Sequence, residues 1–223
     1  MSSPETTISS SLLNGALWSS ETGGNHVYVK CVFLGDMFVG KTSLLNQYIS
    51  KKFQKRYKAT LGADFFVQEI LIGDVIVVLQ IWDTAGQERF RSLGTSYFHG
   101  ADICCLVFDV SNRESFEHVQ TWHDYFLSQM SEDQAEEFPF IIIGNKIDKP
   151  VSERAVSSAE AERFCRQLGM GHPYFEASAK SGFNLDDIFT TIATITLQRK
   201  ETEPTEPSLQ PVELEEQKPS GCC

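Results

Sequence analysis

The fold of this chain can be predicted from the segment Gly35-Asp36-Met37-Phe38-Val39-Gly40-Lys41-Thr42. It follows the pattern of a glycine, four residues, and then glycine, lysine and serine or threonine. The apolar run Val27–Leu34 before it predicts a strand, and the spacing of Lys41–Ser50 after it predicts a helix. Backbone N–H groups of such a loop and of a helix N-terminus point at one anion. We therefore predict that this segment binds phosphate, with Lys41 as a point charge and Thr42 as a ligand of Mg²⁺.

Strands and helices alternate in the rest of the chain. Further strands are predicted at Ala63–Ile72, Val75–Trp82, Ala101–Val110, Phe138–Gly144 and Tyr174–Ala177, and further helices at Arg113–Met130, Ser157–Leu168 and Leu185–Leu197. A turn at Gly73–Asp74 joins two of the strands as a hairpin. The expected fold is α/β: a mostly parallel six-stranded sheet with one antiparallel strand and helices on both faces.

A second motif, Asn145-Lys146-Ile147-Asp148, follows an apolar strand, and ligands bind at this end of parallel strands. A carboxylate there can accept hydrogen bonds from the N1–H and 2-amino groups of guanine. Adenine has neither donor, so a buried acceptor would discriminate strongly against it. Ser178-Ala179-Lys180, after the last strand, can close the same pocket. The predicted base is therefore guanine, which argues against an ATP-using kinase.

A third motif, Asp83-Thr84-Ala85-Gly86-Gln87, ends another predicted strand. Asp83 can hold Mg²⁺ through water, and Gly86 lets a backbone N–H approach a γ-phosphate closely. Gln87 can orient an attacking water, so it is the predicted catalytic residue. A polar turn after a strand would explain the glycine alone, but not the whole set.

The bulk properties restrict the function classes. The chain has 223 residues and a net charge of −11, which disfavours binding to nucleic acid. Residues 1–26 contain no Lys or Arg and are interpreted as a disordered extension, residues 27–198 as one domain, and residues 199–223 as a flexible acidic tail. Four of the six cysteines lie in or beside apolar segments, which favours core positions and a reduced, cytosolic compartment.

Over about residues 27–198 the chain resembles the small GTPases of the Ras superfamily, and within them the Rab family. The Rab-like stretches are Leu61–Phe65, Leu79–Trp82, Arg89–Leu93, Tyr97–Ala101 and Leu106–Val110. Tyr57–Thr60 and Phe138–Phe140 further resemble the branch that serves late endosomes and lysosomes. The resemblance implies a phosphate-loop G domain that binds GTP or GDP with Mg²⁺, hydrolyses GTP slowly, and regulates vesicle traffic as a monomer.

The resemblance also assigns roles to single residues. Thr60 would bind Mg²⁺ and the γ-phosphate, and Phe53 would pack against the guanine. Phe65, Trp82 and Tyr97 match a hydrophobic triad that effectors contact, although core packing is the alternative for such aromatic residues. The full predicted nucleotide-binding set is Gly35, Asp36, Met37, Phe38, Val39, Gly40, Lys41, Thr42, Ser43, Phe53, Tyr57, Thr60, Asp83, Gly86, Asn145, Lys146, Asp148, Ser178, Ala179 and Lys180, with Thr42, Thr60 and Asp83 as metal ligands.

Two loops, about residues 53–62 and 84–95, would be held by the γ-phosphate and Mg²⁺ and would relax after hydrolysis. The implied partners are an exchange factor, a GTPase-activating protein, effectors, a GDP-dissociation inhibitor and an escort protein. An arginine from the activating protein typically raises the rate by about 10³–10⁵.

Met37 and Phe38 depart from the family, which usually has small residues there, with glycine at the second position. A phenylalanine adopts positive φ only at a cost, and its bulk can obstruct the attacking water. One interpretation is a GTP-binding module with weakened affinity or little hydrolysis. The alternative is that both side chains point outward and leave the reaction unchanged.

The chain ends in Cys222 and Cys223. This pair resembles the double-cysteine end of Rab proteins, which receives two geranylgeranyl groups, and two lipid chains give stable anchoring. The expected location is the cytoplasmic face of late endosomes or lysosomes, in exchange with the cytosol.

Overall fold

The computed structural model describes residues 25–54, 59–86, 97–168 and 172–202. Its six strands form a single sheet in the order β2-β3-β1-β4-β5-β6. Their bounds are β1 Asn25–Leu34, β2 Ala63–Ile72, β3 Val75–Thr84, β4 Ile103–Asp109, β5 Phe140–Asn145 and β6 Tyr174–Glu176. All pairs are parallel except β2 with β3, which are antiparallel over their full length. The expected α/β fold and its hairpin are confirmed.

Five helices lie wholly within the described residues: α1 Lys41–Ser50, α2 Arg113–Leu127, α3 Glu132–Ala135, α4 Ser158–Leu168 and α5 Leu185–Thr202. The short helix α3 and a 3₁₀ turn at Val151–Glu153 were not predicted, because they are too short to produce an apolar period. Helix α5 runs five residues past its predicted end. Its last turn is held by an ion pair between Lys200 Nζ and Asp102 Oδ1, which are 3.0 Å apart. Basic side chains in this turn also interact favourably with the helix dipole.

The helices pack on the sheet in two apolar layers. One layer joins α1 and α5 to the sheet through side chains such as Leu44, Leu45, Ile188 and Phe189. The other joins α2 and α4 through Phe116, Val119, Trp122, Phe126 and Cys165. Because both faces are covered, β4 and β5 are buried along their whole length. The loops at the carboxyl ends of the strands are left open to form a site.

The four cysteines of the described residues, Cys31, Cys104, Cys105 and Cys165, are buried thiols, as predicted. Burial raises the pKa of Cys104 and Cys105 well above the ordinary value, so both stay protonated. No helix among the described residues is long and apolar enough to cross a membrane.

Candidate nucleotide site

A cavity of about 930 Å³ opens at the carboxyl edge of the sheet. Its volume lies within the range of small-molecule and cofactor sites, about 300–1,000 Å³. Most of the predicted nucleotide residues line it: Asp36, Met37, Phe38, Gly40, Lys41, Thr42, Ser43, Phe53, Thr60, Gly86, Asn145, Lys146, Asp148, Ala179 and Lys180. The three sequence motifs, which are far apart in the chain, therefore meet around one space.

The phosphate loop has the backbone geometry of an anion-binding turn. Gly35 and Gly40 have φ of 139° and 99°, values that favour glycine. A Cβ on Gly35 would lie 2.1 Å from the carbonyl oxygen of Val107, so the loop packs directly on β4. The loop leads into α1, whose first N–H groups have no partner within the helix and can bind an anion.

Lys41 lies inside the loop. Its Nζ donates to the carbonyl oxygens of Gly35 at 2.7 Å and Asp36 at 3.0 Å. Burial lowers the pKa of Lys41 to about 8, while the charges of Asp83 and Asp36 act in the opposite direction. The two carbonyl oxygens that hold the Lys41 ammonium group are neutral, so they do not neutralise its positive charge. An anionic phosphate would neutralise that charge.

Oxygen ligands suited to a divalent cation converge beside Lys41. The Thr42 hydroxyl donates to Asp83 Oδ2 at 2.5 Å and lies 2.9 Å from the Thr60 hydroxyl. The other carboxylate oxygen, Asp83 Oδ1, is buried and has no hydrogen-bond partner among the described residues. Burial raises the pKa of Asp83 to about 6, although Thr42 and Lys41 act against this. An all-oxygen set with one orphaned carboxylate oxygen fits Mg²⁺, which prefers such ligands.

Asn145 joins the phosphate loop to the base-binding loops. Its Nδ2 donates to the carbonyl oxygen of Val39 at 2.8 Å. Its Oδ1 accepts from the backbone N–H groups of Lys146 at 2.8 Å and Ala179 at 3.1 Å. The side chain is buried, so these bonds fix the distance between the phosphate end and the base end of the cavity.

Asp148 is the carboxylate predicted to bind guanine. Its Oδ1 accepts from the Ser178 hydroxyl at 2.7 Å, and its Oδ2 lies 3.4 Å from Lys180 Nζ. Although desolvation raises the pKa of Asp148, hydrogen bonds from Ser178 and Lys180 keep it below its ordinary value. The group is therefore an ionised acceptor at neutral pH, oriented by two neighbours.

Four predicted residues do not line the cavity but support it from behind. Val39 is buried in the core, and its carbonyl oxygen holds Asn145. Ser178 is fully buried and orients Asp148, and Asp83 holds the Thr42 hydroxyl. Gly35 contributes through its carbonyl oxygen, which accepts from Lys41.

The structure supports part of each interpretation of Phe38, the strained backbone and the outward-pointing side chain. Its φ is 64°, the left-handed conformation that costs a non-glycine residue about 1–2 kcal/mol. The side chain is nevertheless 59% exposed, so it largely points outward at the rim of the cavity. Lys146 Nζ donates to the Phe38 carbonyl oxygen and holds this backbone in place.

The three predicted effector residues form one aromatic row. The ring centroids of Phe65 and Trp82 are 5.1 Å apart, and those of Trp82 and Tyr97 are 5.3 Å apart. Phe65 is half exposed, whereas Trp82 and Tyr97 pack partly against the core. Both the surface and the core interpretation are thus partly realised. Four predicted site residues lie outside the described residues: Gln87, Tyr57, Cys222 and Cys223.

Some residues of the site were not found from the sequence. Asp109, at the end of β4, contacts Lys146 at 2.8 Å, and a carboxylate at a strand end was a usable signal. His118 and Trp122 both contact the Asp36 carboxylate from α2. No sequence motif marks these two residues, because only the packing of α2 on the sheet brings them to the phosphate loop.

Residues 30–198 match the Ras family. The chain is 52% identical over 177 residues to Ypt/Rab-type GTPase avaA of Emericella nidulans, covering 79% of this chain and 86% of the relative. It is 54% identical over 170 residues to Ras-related protein RABG3a of Arabidopsis thaliana, covering 76% and 82%.

A third relative, Ras-related protein Rab-7a of Dictyostelium discoideum, is 45% identical over 199 residues, which are 88% of this chain and 97% of the relative. Relatives named ypt7 and Rab7 from several fungi are about equally similar, at 49–51% identity. The matched region contains all three motifs that line the cavity. The chain therefore belongs to the Ras family, as a Rab-type GTPase of the Rab7 and Ypt7 branch.

Proposed function

We propose that this GTPase is a Mg²⁺-dependent GTP/GDP switch that regulates vesicle traffic to late endosomes, lysosomes or vacuoles. The observation that carries the proposal is one cavity lined by Lys41, the Thr42 and Thr60 hydroxyls and the oriented Asp148 carboxylate, with Asp83 behind it accepting from Thr42. These groups match the phosphates, the cation and the base of one guanine nucleotide. Bound Mg²⁺ would neutralise charge on the phosphates, with Thr42, Thr60 and Asp83 as its protein-side ligands.

The switch would act through two segments that approach each other at the cavity. Thr60 reaches Thr42, and the Ala85 N–H donates to the Gly62 carbonyl oxygen at 2.8 Å. Loss of the γ-phosphate would release Thr60 and Gly86 together, because both meet the phosphate loop. The aromatic row Phe65–Trp82–Tyr97, next to these segments, is the proposed effector surface.

The proposed partners follow the family: an exchange factor, a GTPase-activating protein, effectors, a GDP-dissociation inhibitor and an escort protein. Membrane attachment would come from two prenyl groups on Cys222 and Cys223, since one chain alone binds marginally. The protein would then cycle between the cytosol and the cytoplasmic face of late endosomal membranes.

The alternative, a binding module with little hydrolysis because of Met37 and Phe38, is not favoured. The similar proteins are named as GTPases, and the Phe38 side chain points largely to solvent. Single-turnover hydrolysis of preloaded GTP tests the choice. We expect phosphate release by the wild type and its loss in Gln87→Leu, with Gln80→Leu on β3 as a matched control that keeps it. Stoichiometric GTP without phosphate release by the wild type would support the alternative.

The membrane proposal has a separate test. A variant with both Cys222 and Cys223 replaced by Ser should stay in the soluble fraction of cells, whereas the wild type sediments with late endosomal membranes. Cys165→Ser is the matched control, because this thiol is buried in the core. If the double variant still sediments with membranes, lipidation of these cysteines is not the anchor.

A further inference from the structure

The phosphate loop carries a carboxylate of its own, on Asp36. Its backbone carbonyl oxygen accepts from Lys41 at 3.0 Å, and a Cβ on Gly86 would lie 2.4 Å from its carbonyl carbon. Asp36 thus lies between the Lys41 ammonium group and the start of the second of the two switch segments, which are residues 53–62 and 84–95. An anionic side chain in a loop that binds anions is unfavourable unless other groups stabilise its charge.

Helix α2 stabilises the Asp36 carboxylate with two hydrogen-bonding side chains. Trp122 Nε1 donates to Asp36 Oδ1 at 2.8 Å, and His118 Nδ1 lies 2.7 Å from Asp36 Oδ2. An ionised carboxylate only accepts, so the His118 nitrogen is the donor in this contact. The two residues are four apart in the helix and lie on one face, so each oxygen of the carboxylate has its own donor.

The two donors differ in how firmly they are held. Trp122 is 4% exposed and belongs to the apolar layer between α2 and the sheet, so it ties Asp36 to the core. The His118 side chain is 45% exposed, so it can be changed without opening the core. It is therefore the half of the pair that can be tested without loss of folding.

We propose that His118 and Trp122 are positioning residues that hold the Asp36 carboxylate against α2 and thereby set how long the phosphate loop retains its nucleotide. The pair acts through the backbone of Asp36, which helps to hold Lys41 and adjoins Gly86. Without it the carboxylate is free to turn toward the bound phosphates and repel them. This inference rests on the nucleotide site proposed above, and it adds a control point on the helix outside the switch segments.

The test is the release rate of a fluorescent GDP analogue from the full-length protein in excess GDP. We expect His118→Leu to release it roughly fivefold faster, the ratio that corresponds to about 1 kcal/mol for one partly exposed hydrogen bond. His118→Asn should return the rate to near the wild-type value, because its amide donor can take the place of Nδ1. A purely steric role of the imidazole ring would not be rescued in this way.

Two controls separate the pair from general effects on α2. Gln120→Leu removes another donor to a carboxylate on the same helix, the 2.8 Å bond to Asp124, and should leave the release rate unchanged. In an Asp36→Ala background, His118→Leu should have no further effect, since the carboxylate that it holds is gone. Thermal unfolding of each variant confirms that the compared proteins are folded.

Equal release from the wild type and His118→Leu would overturn the proposal. So would a full effect of His118→Leu in the Asp36→Ala background, because His118 would then act through another group. Failure of the wild type to bind the GDP analogue at all is a different result, and it would instead contradict the proposed nucleotide site.

Discussion

Gly86 is the residue where a single methyl group should separate nucleotide binding from hydrolysis. An ideal Cβ there would lie 2.4 Å from both the carbonyl carbon of Asp36 and the nitrogen of Met37. Ordinary van der Waals contact begins near 3.4 Å, so Gly86→Ala must move the two segments apart by about 1 Å. The clash is with backbone atoms of the phosphate loop, which cannot turn away as a side chain could.

The expected consequence is a large loss of hydrolysis with little loss of GDP binding. A displacement of about 1 Å can cost about a hundredfold in rate, and removal of one preorganised N–H donor costs about 10²–10³. GDP lacks the γ-phosphate that this N–H would contact, so its affinity should stay within about threefold of the wild type. Single-turnover hydrolysis of preloaded GTP and the release rate of labelled GDP measure the two effects.

Gly73→Ala is the matched control for Gly86→Ala. Gly73 lies in the β2–β3 turn with φ of 59° and has no atom within 4 Å of an added Cβ. Its substitution should cost about 1–2 kcal/mol in the free energy of unfolding, measured in urea, without changing hydrolysis. If Gly86→Ala hydrolyses GTP within about twofold of the wild type, the close approach of Gly86 has no part in the reaction.

Three further predictions concern the rest of the cavity. Asp148→Ala should weaken GDP binding by at least about a hundredfold in isothermal titration, because two hydrogen bonds to a charged acceptor are lost; a change below tenfold would contradict its assignment to the base. Phe38→Gly should slow GDP release about fivefold, as relief of about 1 kcal/mol of backbone strain favours the loop in its binding geometry. Lys51→Gly, which relieves a φ of 52° away from the cavity, should not slow it. Chelation of Mg²⁺ by EDTA should speed GDP release at least about tenfold, since the Asp83 carboxylate loses its cation. An unchanged release rate would contradict the proposed Mg²⁺ site.

Much of the site was predictable because its residues follow strands in short motifs. The phosphate loop, Asp83 and Asn145–Asp148 each lie at the carboxyl end of a strand, and parallel strands bring such ends together. The hairpin of β2 and β3 was predictable from its Gly73–Asp74 turn, and the longer helices from the apolar period. Two helix ends were wrong: α2 ends at Leu127 instead of Met130, and α5 at Thr202 instead of Leu197.

The remaining features depend on tertiary contacts that leave no local pattern. His118 and Trp122 read as ordinary positions of an amphipathic helix, and only the packing of α2 places them on Asp36. The extension of α5 to Thr202 is fixed by the contact of Lys200 with Asp102, nearly a hundred residues away in the chain. For Phe38, the sequence indicated the strained backbone but not the direction of the side chain, which the neighbouring fold determines.

One cavity of this protein should bind guanine nucleotide together with Mg²⁺. The measurement is calorimetric titration of the nucleotide-free protein with GDP, and separately with ADP, in the presence of Mg²⁺. We predict one GDP per chain, with ADP bound at least about a thousandfold more weakly, since adenine offers the Asp148 carboxylate neither the N1–H nor the 2-amino donor of guanine. Equal affinity for the two nucleotides, or no binding of GDP, would contradict the claim.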